Sequence, residues 1–113
     1  MSELHLPQER RIDQAKVVEY LLHPVKGHGK AHLFYKLGFT MLGWKLLRDA
    51  LLVHADSMPV TEAVASDFGT KYIVTGGLGT PDGRNPLPIV RAVWIQDGGQ
   101  DGVRLVTAYP VRS

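Results

Sequence analysis

Residues 23–32 read HPVKGHGKAH and bring together three histidines, two lysines and two glycines within ten positions. An imidazole gives or takes a proton near neutral pH, so His28 and His32 are candidate general acids or bases. Lys26 and Lys30 add positive charge, and glycines ahead of a helix leave backbone N–H groups open to an anion. The segment therefore predicts a loop that faces a phosphate group.

A metal site is a competing interpretation of the same loop. His28 and His32 are four positions apart, a spacing that suits zinc when both histidines lie on one helix. The glycines on either side of His28 interrupt such a helix, no carboxylate nearby offers a third ligand, and the chain has no cysteine. A nucleotide-hydrolase loop is excluded because the spacing G-x-x-x-x-G-K-[ST] is absent and Ala31 follows Lys30. We predict no metal and no cofactor.

The charge distribution narrows the class of partner. The net charge is +2 with a pI of about 9.0, yet no Asp or Glu occurs from Tyr20 to Arg48, where five lysines and arginines fall. A basic stretch of this kind suits RNA or a phosphorylated small molecule, although a solvated basic surface has the same composition. The sequence shows no secretory segment and no apolar run long enough to span a bilayer. We therefore expect a cytoplasmic protein without a membrane partner.

Hydrophobic periodicity predicts helices first and strands second. Asp13 is a candidate N-cap for a helix over 14–22, a short helix over 31–36 ends at Gly38, and Thr40 precedes a third helix over 41–54. The apolar face of that third helix comprises Met41, Leu42, Trp44, Leu47, Leu51 and Leu52. After Pro59, four β-rich segments are separated by short turns, which favours an antiparallel meander; they are VTEAVA, KYIVTGGL, PIVRAVWIQ and VRLVTAYPV.

The resulting fold prediction is α+β, with the N-terminal helices packed on one face of a four-stranded antiparallel β-meander. One domain is expected over 1–113, with a helical part over about 12–55 and a sheet over about 59–111. Both Trp44 and Trp94 are predicted to lie in the core. The other face of the sheet is left free for a ligand.

The closing strand, RLVTAYP, carries a hydroxyl and a phenol. Strict alternation places Leu105, Thr107 and Tyr109 on one face of this strand. An ordinary half-buried strand would also contain Thr and Tyr, so the strand by itself leaves a binding site and a structural role both open. Arg84, in the Pro-Asp-Gly-Arg turn, is a candidate for bidentate phosphate binding.

The sequence resembles a bacterial family of domains of unknown function. The motifs that carry the resemblance are KAHLFYKLGF, GTKYIVTGGLGTPDGR, VRAVWI and RLVTAYP, and they extend over most of residues 12–110. More distantly, the chain resembles the barnase–EndoU–colicin–RelE superfamily of ribonuclease toxins. That resemblance implies metal-free RNA cleavage on the open face of the sheet, with RNA and a cognate antitoxin or immunity protein as partners.

The resemblance and the residue chemistry together give a set of expected site residues. The expected catalytic residues are His28, Lys30, His32, Thr107 and Tyr109, and the expected phosphate-binding residues are Lys26, Lys30 and Arg84. Two alternatives stay open. One is a non-catalytic partner or toxin–antitoxin component of the same fold that binds protein or RNA, and the other is an enzyme acting on a small phosphorylated molecule.

Overall fold

Helices occupy the first half of the chain and most of the strands lie in the second, so the predicted α+β class is confirmed. The structure, a computed structural model, describes residues 5–26 and 30–111. Helix α1 has an α-helical turn, Gln14–Lys16, that continues as a π-helix, Val17–Leu21; the other helices are α2 (Lys30–Lys36) and α3 (Trp44–Ser57). The strands are β1 (Arg10–Arg11), β2 (Val60–Ser66), β3 (Gly69–Gly77), β4 (Ile89–Asp97) and β5 (Val103–Pro110).

The sheet is mixed and has five strands, so the prediction of four antiparallel strands is wrong. Strands β2 to β5 do form the expected antiparallel meander, but the sheet order is β1-β5-β4-β3-β2. The additional strand, β1, is parallel to β5, with Arg10 opposite Val103 and Arg11 opposite Arg104. The backbone N–H of Val103 also donates to the Glu9 carbonyl at 2.8 Å. Two residues are too short for any periodicity, which is why the sequence pattern does not reveal β1.

The helices cover one face of the sheet and enclose the core. Alternate residues of β4 are fully buried under them, whereas Arg91, Val93 and Ile95 point to the other face and are half-buried. The largest fully buried side chains are Trp94, Phe34, Phe39, Leu21, Leu22, Leu47, Leu51 and Leu78. No helix in the described ranges has the length and apolar character needed to cross a membrane.

Helix α3 is fixed to the sheet by a buried histidine. The Nε2 atom of His54 lies 3.2 Å from the Gly76 carbonyl on β3 and 2.9 Å from the Val90 carbonyl on β4, so Nε2 carries the proton that it donates. Burial lowers the pKa of His54 below 6.5, and the two carbonyls oppose that shift. A side chain at Gly76 would force Met58 to move, because its Cβ would lie 2.2 Å from the sulfur of Met58.

The predicted apolar face is buried or partly buried except at Leu42, which precedes α3. Leu42 is 100% exposed, and Leu46 and Val53 are also exposed. Trp44 is only partly buried, with Arg48 5.3 Å from its ring, whereas Trp94 is completely buried. Thus one of the two predicted core tryptophans lies at the boundary of the core.

A β-bulge in β5 changes which side chains share a face. Thr107 pairs with Val93 but Leu105 pairs with Trp94, so β5 contains one extra residue at this point. Directly opposed residues share a face. Leu105 therefore joins Trp94 on the buried face, while Thr107 and Tyr109 lie opposite Val93 and Arg91. The strict alternation used in the prediction is wrong for Leu105.

Candidate functional site

The centre of the candidate site is a tyrosine that the sequence analysis did not select. Lys30, the first residue of α2, donates a hydrogen bond from Nζ to the Tyr20 phenol oxygen at 3.1 Å. The ring of Tyr20 also lies 4.7 Å from Lys16 Nζ and 5.0 Å from Lys30 Nζ, distances at which a cation is attracted by the ring. Neither lysine forms an ion pair within the described part of the chain. Two uncompensated cations therefore converge on one phenol.

Thr107 reaches the same phenol from β5. The Thr107 Oγ1 atom is buried, and its geometry falls short of a full hydrogen bond to any described group. Nevertheless the hydroxyl is close enough to Tyr20 to affect the ionisation of the phenol. We call Tyr20, Lys30 and Thr107 the tyrosine cluster.

The surroundings of the phenol favour its ionised form. The hydrogen bond from Lys30 lowers the pKa of Tyr20 below 10.0, partial burial opposes this, and Thr107 and the charges of Lys30 and Lys16 act in the same direction as the hydrogen bond. A phenolate beside an ammonium group can accept a proton while the ammonium group donates one. The arrangement is thus suited to coupled proton transfer next to a cation.

A local irregularity of α1 positions the phenol. Tyr20 belongs to the π-helical segment, in which the Leu22 N–H donates to the Val17 carbonyl at 2.8 Å, five residues back. Val17 and Leu21 in the same segment are buried, so the core holds this segment in place. π-Helical turns are rare and recur at functional sites.

The predicted loop residues differ in how much the structure says about them. His28 lies outside the described residues, as do both glycines of the loop. The Nδ1 atom of His23 accepts hydrogen bonds from the backbone N–H groups of Val25 and Lys26, each at 3.1 Å, so this histidine organises the turn before α2. The side chains of Lys26 and His32 are exposed. Because His32 is two positions after Lys30 on α2, the two side chains do not share a helix face.

Among the remaining predicted residues, Tyr109 and Arg84 have different positions. Tyr109 pairs with Arg91 two residues beyond Thr107, on the face of β5 that is turned away from the core. Arg84 instead donates to the Lys36 carbonyl at 3.1 Å and pairs with Asp82 at 3.0 Å. Lys36 is the last residue of α2 and Lys30 is the first. About 9 Å of helix therefore separates the Lys36 carbonyl, which Arg84 binds, from Lys30 in the tyrosine cluster. The structure does not bring Arg84 to Lys30.

A second basic region surrounds β1. A groove of about 480 Å³ is lined by Arg10, Arg11, Arg104, Asp97 and neighbouring residues. Arg104 binds Asp97 through two nitrogens, at 2.9 and 3.3 Å, while Arg11 pairs with Asp13 and Arg10 with Asp56. Arg104, and to a smaller extent Arg11, lowers the pKa of Asp97. We call this region the paired groove, because each arginine in it is matched by a carboxylate.

The described residues contain no group of three His, Asp or Glu side chains that could hold a metal ion. The His28–His32 pair cannot be measured, since His28 lies outside those residues. Independence from metal therefore stays a prediction, which rests on the donor types in the sequence.

One sequence signal could have identified Tyr20. Lys16 precedes it by four positions, so the two side chains share a helix face and a cation beside the ring is expected. The contact with Lys30 has no comparable signal, because it crosses the loop between α1 and α2.

Comparison with known proteins places the chain by family and by fold. The family model described as Domain of unknown function (DUF6883) matches residues 5–112. No curated protein matches the chain.

Among solved structures, the chain is similar to one from the contact-dependent growth inhibition toxin–immunity protein complex of Klebsiella pneumoniae 342. The TM-score is 0.67 with 12% sequence identity, over 90% of this chain and 93% of that chain. At this identity the similarity concerns the fold.

Proposed function

This chain belongs to the family Domain of unknown function (DUF6883), and we propose that it is a toxin-type domain that cleaves RNA without a metal ion. The observation that carries the proposal is the contact between the Lys30 ammonium group and the Tyr20 phenol, with Thr107 beside them. An acid–base pair next to a basic loop meets the chemical needs of RNA cleavage.

Cleavage at a 2′-hydroxyl requires a base, an acid and a cation near the phosphate. In the proposed reaction the Tyr20 phenolate takes the 2′-hydroxyl proton as the O2′–P bond forms. The P–O5′ bond breaks, and the leaving 5′-oxygen receives a proton from Lys30. The charge of Lys30 offsets the charge that develops on the phosphate oxygens. The products are a 2′,3′-cyclic phosphate and a 5′-hydroxyl end.

The loop ahead of α2 supplies the basic surface on which the RNA would lie. Lys26 is exposed on the turn that His23 organises. His28, His32 and Tyr109 stay predicted catalytic residues, and substitution of each one tests whether it contributes a proton or a contact. Arg84 takes no part in this mechanism, since it is bound to Asp82 and to the end of α2.

The fold similarity supports a role in a toxin system. A chain of a growth-inhibition toxin–immunity protein complex shares the fold over nine-tenths of this chain. A protein partner of the antitoxin or immunity type is therefore part of the proposal.

The test compares two Tyr→Phe substitutions in an RNA cleavage assay with EDTA present. Tyr20→Phe removes the proposed base and should lower cleavage of a labelled single-stranded RNA by about 100-fold or more. Tyr35→Phe is the matched control, because the Tyr35 phenol donates to the Leu22 carbonyl and has no cation beside it in the described structure.

Equal loss in both variants would point to a folding defect, and circular dichroism melts identify that case. Wild-type protein that leaves RNA intact under all conditions, or Tyr20→Phe protein with full activity, would contradict the proposed reaction.

A second candidate function is a non-catalytic protein-binding role, which exposed leucine and valine residues of α3 and of the segment before it favour. Leu42, Leu46 and Val53 lie on the outer side of this region, where apolar side chains have no described cover. Under this alternative, Leu46→Glu abolishes partner binding and Tyr20→Phe has no effect on any activity of the system.

A further inference from the structure

Within the described ranges, every arginine but one forms an ion pair with a carboxylate. Five of them form an ion pair with an aspartate: Arg10 with Asp56, Arg11 with Asp13, Arg48 with Asp49, Arg84 with Asp82 and Arg104 with Asp97. Arg91 is the exception among these residues. Its single described polar contact is a long hydrogen bond from Nε to the Thr75 hydroxyl at 3.4 Å.

Arg91 occupies the face of the sheet that the helices do not cover. It lies on β4 between the buried residues Val90 and Ala92, and its own side chain is half-buried. Its direct neighbour on β5 is Tyr109. Opposed side chains of adjacent strands have Cβ atoms about 5 Å apart, so the guanidinium and the phenol line the same patch of surface.

This patch continues into the tyrosine cluster. Thr107 and Tyr109 are two residues apart on β5, which places them about 7 Å from each other along the strand. Thr107 adjoins the Tyr20 phenol, and Tyr109 adjoins Arg91. An RNA strand that contacts both Lys30 and Arg91 would therefore follow β5 between them.

The chemistry of Arg91 selects a phosphate as its ligand. A guanidinium has five N–H donors, and Arg91 uses one of them within the described structure. The remaining donors of this half-buried guanidinium have no described protein partner, and a bidentate oxyanion matches their geometry. The phenol of Tyr109 has no described polar partner and is available to the same anion or to a base that stacks on its ring.

We propose that Arg91 and Tyr109 form a second phosphate subsite, which binds an RNA phosphate next to the one that is cleaved. This inference rests on the proposed RNA-cleaving function and assigns Arg91 and Tyr109 to positioning the RNA substrate. It does not depend on which group acts as base.

The test measures binding of a single-stranded RNA oligonucleotide by fluorescence anisotropy at several salt concentrations. All variants carry Tyr20→Phe to slow cleavage, and gel electrophoresis after each titration establishes that the RNA is intact. Arg91→Gln should weaken binding about tenfold and make the salt slope shallower by about 0.7, the change expected for one lost phosphate contact on a single strand. Arg91→Lys should keep the slope while binding more weakly, since it retains the charge and loses the bidentate geometry.

Arg104→Gln is the matched control. Arg104 lies opposite Ile95 on the same face of the sheet and carries the same charge, but Asp97 already binds it. This control should leave the salt slope unchanged. Thermal melts establish that each variant is folded before its affinity is compared.

The outcomes separate the subsite from the proposed function. Equal salt slopes for Arg91→Gln and Arg104→Gln, with RNA still bound, would show that the subsite is wrong while cleavage by the tyrosine cluster stands. If the Tyr20→Phe protein binds no RNA even at low salt and the wild-type protein cleaves none, both proposals fail together.

Discussion

Two basic regions adjoin β5, and they differ in what faces their cations. In the paired groove, at the start of the strand, Arg104 and Arg11 each face an aspartate. In the tyrosine cluster, further along the strand, Lys30 faces a phenol that is neutral in its ordinary state. The first region is already compensated in charge, whereas the second has a cation free to act on an anionic substrate. Local pairing, rather than the number of basic residues, therefore distinguishes a structural contact from a candidate site.

Substituting the cation of each region should give the largest difference in RNA cleavage between the two regions. Lys30→Ala should reduce RNA cleavage by about 100-fold, since it deletes both the proposed acid and the charge beside the phosphate, equivalent to about 3 kcal/mol in the barrier. Arg104→Gln should leave cleavage unchanged. The measurement is kcat/KM for a labelled RNA. A larger effect for Arg104→Gln than for Lys30→Ala would reverse the comparison.

The pH dependence of cleavage should report the ionisation of the tyrosine cluster. Because Lys30 lowers the pKa of Tyr20, the phenolate fraction, and with it the rate, should rise with pH and level off below pH 10.0. The rise should approach tenfold per pH unit well below that pKa. In Lys30→Ala the remaining activity should rise at higher pH than in the wild type. A profile that is the same in both proteins would exclude Tyr20 as the titrating base.

The threonine of the cluster should have a smaller effect. Thr107→Val removes the hydroxyl that assists ionisation of Tyr20, so cleavage should fall a few-fold and the pH profile should move slightly upward. The free energy of unfolding should change little, because Oγ1 is buried without a full hydrogen bond and an isosteric methyl group replaces it. A marked loss of stability in chemical denaturation would indicate a structural role for Thr107 instead.

The paired groove should show the smallest effect, and only in stability. Arg104 holds the pKa of Asp97 below 3.8, so the stability that this pair contributes is complete above pH 3.8 and is lost as the pH falls through the lowered pKa. Solvent-exposed pairs of this kind contribute little to stability, because water and salt screen them. Asp97→Asn should therefore reduce the acid dependence of unfolding slightly and leave RNA cleavage unchanged. A loss of cleavage in Asp97→Asn would show that the groove belongs to the site.

The parts of the fold that the sequence predicts are those set by local patterns. The 3.6-residue and two-residue periods locate α1, α3 and the strands β2 to β5. Gly38 follows the end of α2, as expected, and has a backbone φ of 96°. The pattern could not reveal β1, whose partner lies more than ninety positions away. It also could not reveal the bulge that moves Leu105 to the buried face, since an extra residue leaves no mark in the composition of the strand.

The sequence likewise predicts only part of the candidate site. Lys30 and Thr107 follow from residue type and position, and the structure brings both to Tyr20. Tyr20 itself was missed because its importance comes from residues distant in sequence, Lys30 across a loop and Thr107 on β5. Arg91 was missed for a related reason, since an arginine in a strand becomes notable only when the partners of the other arginines are known.

The π-helical segment makes the site sensitive to chain length as well as to residue type. A π-helical turn contains one residue more than an α-helical turn, and the bond from Leu22 to Val17 spans that extra residue. Deleting one residue before Tyr20 would let the α-helix continue and would rotate the phenol by about 100° around the helix axis. The tyrosine would then be retained in the sequence but turned away from Lys30. When homologous chains are aligned, a one-residue gap between positions 13 and 20 would therefore separate members that keep the contact between the tyrosine and the lysine from members that lose it.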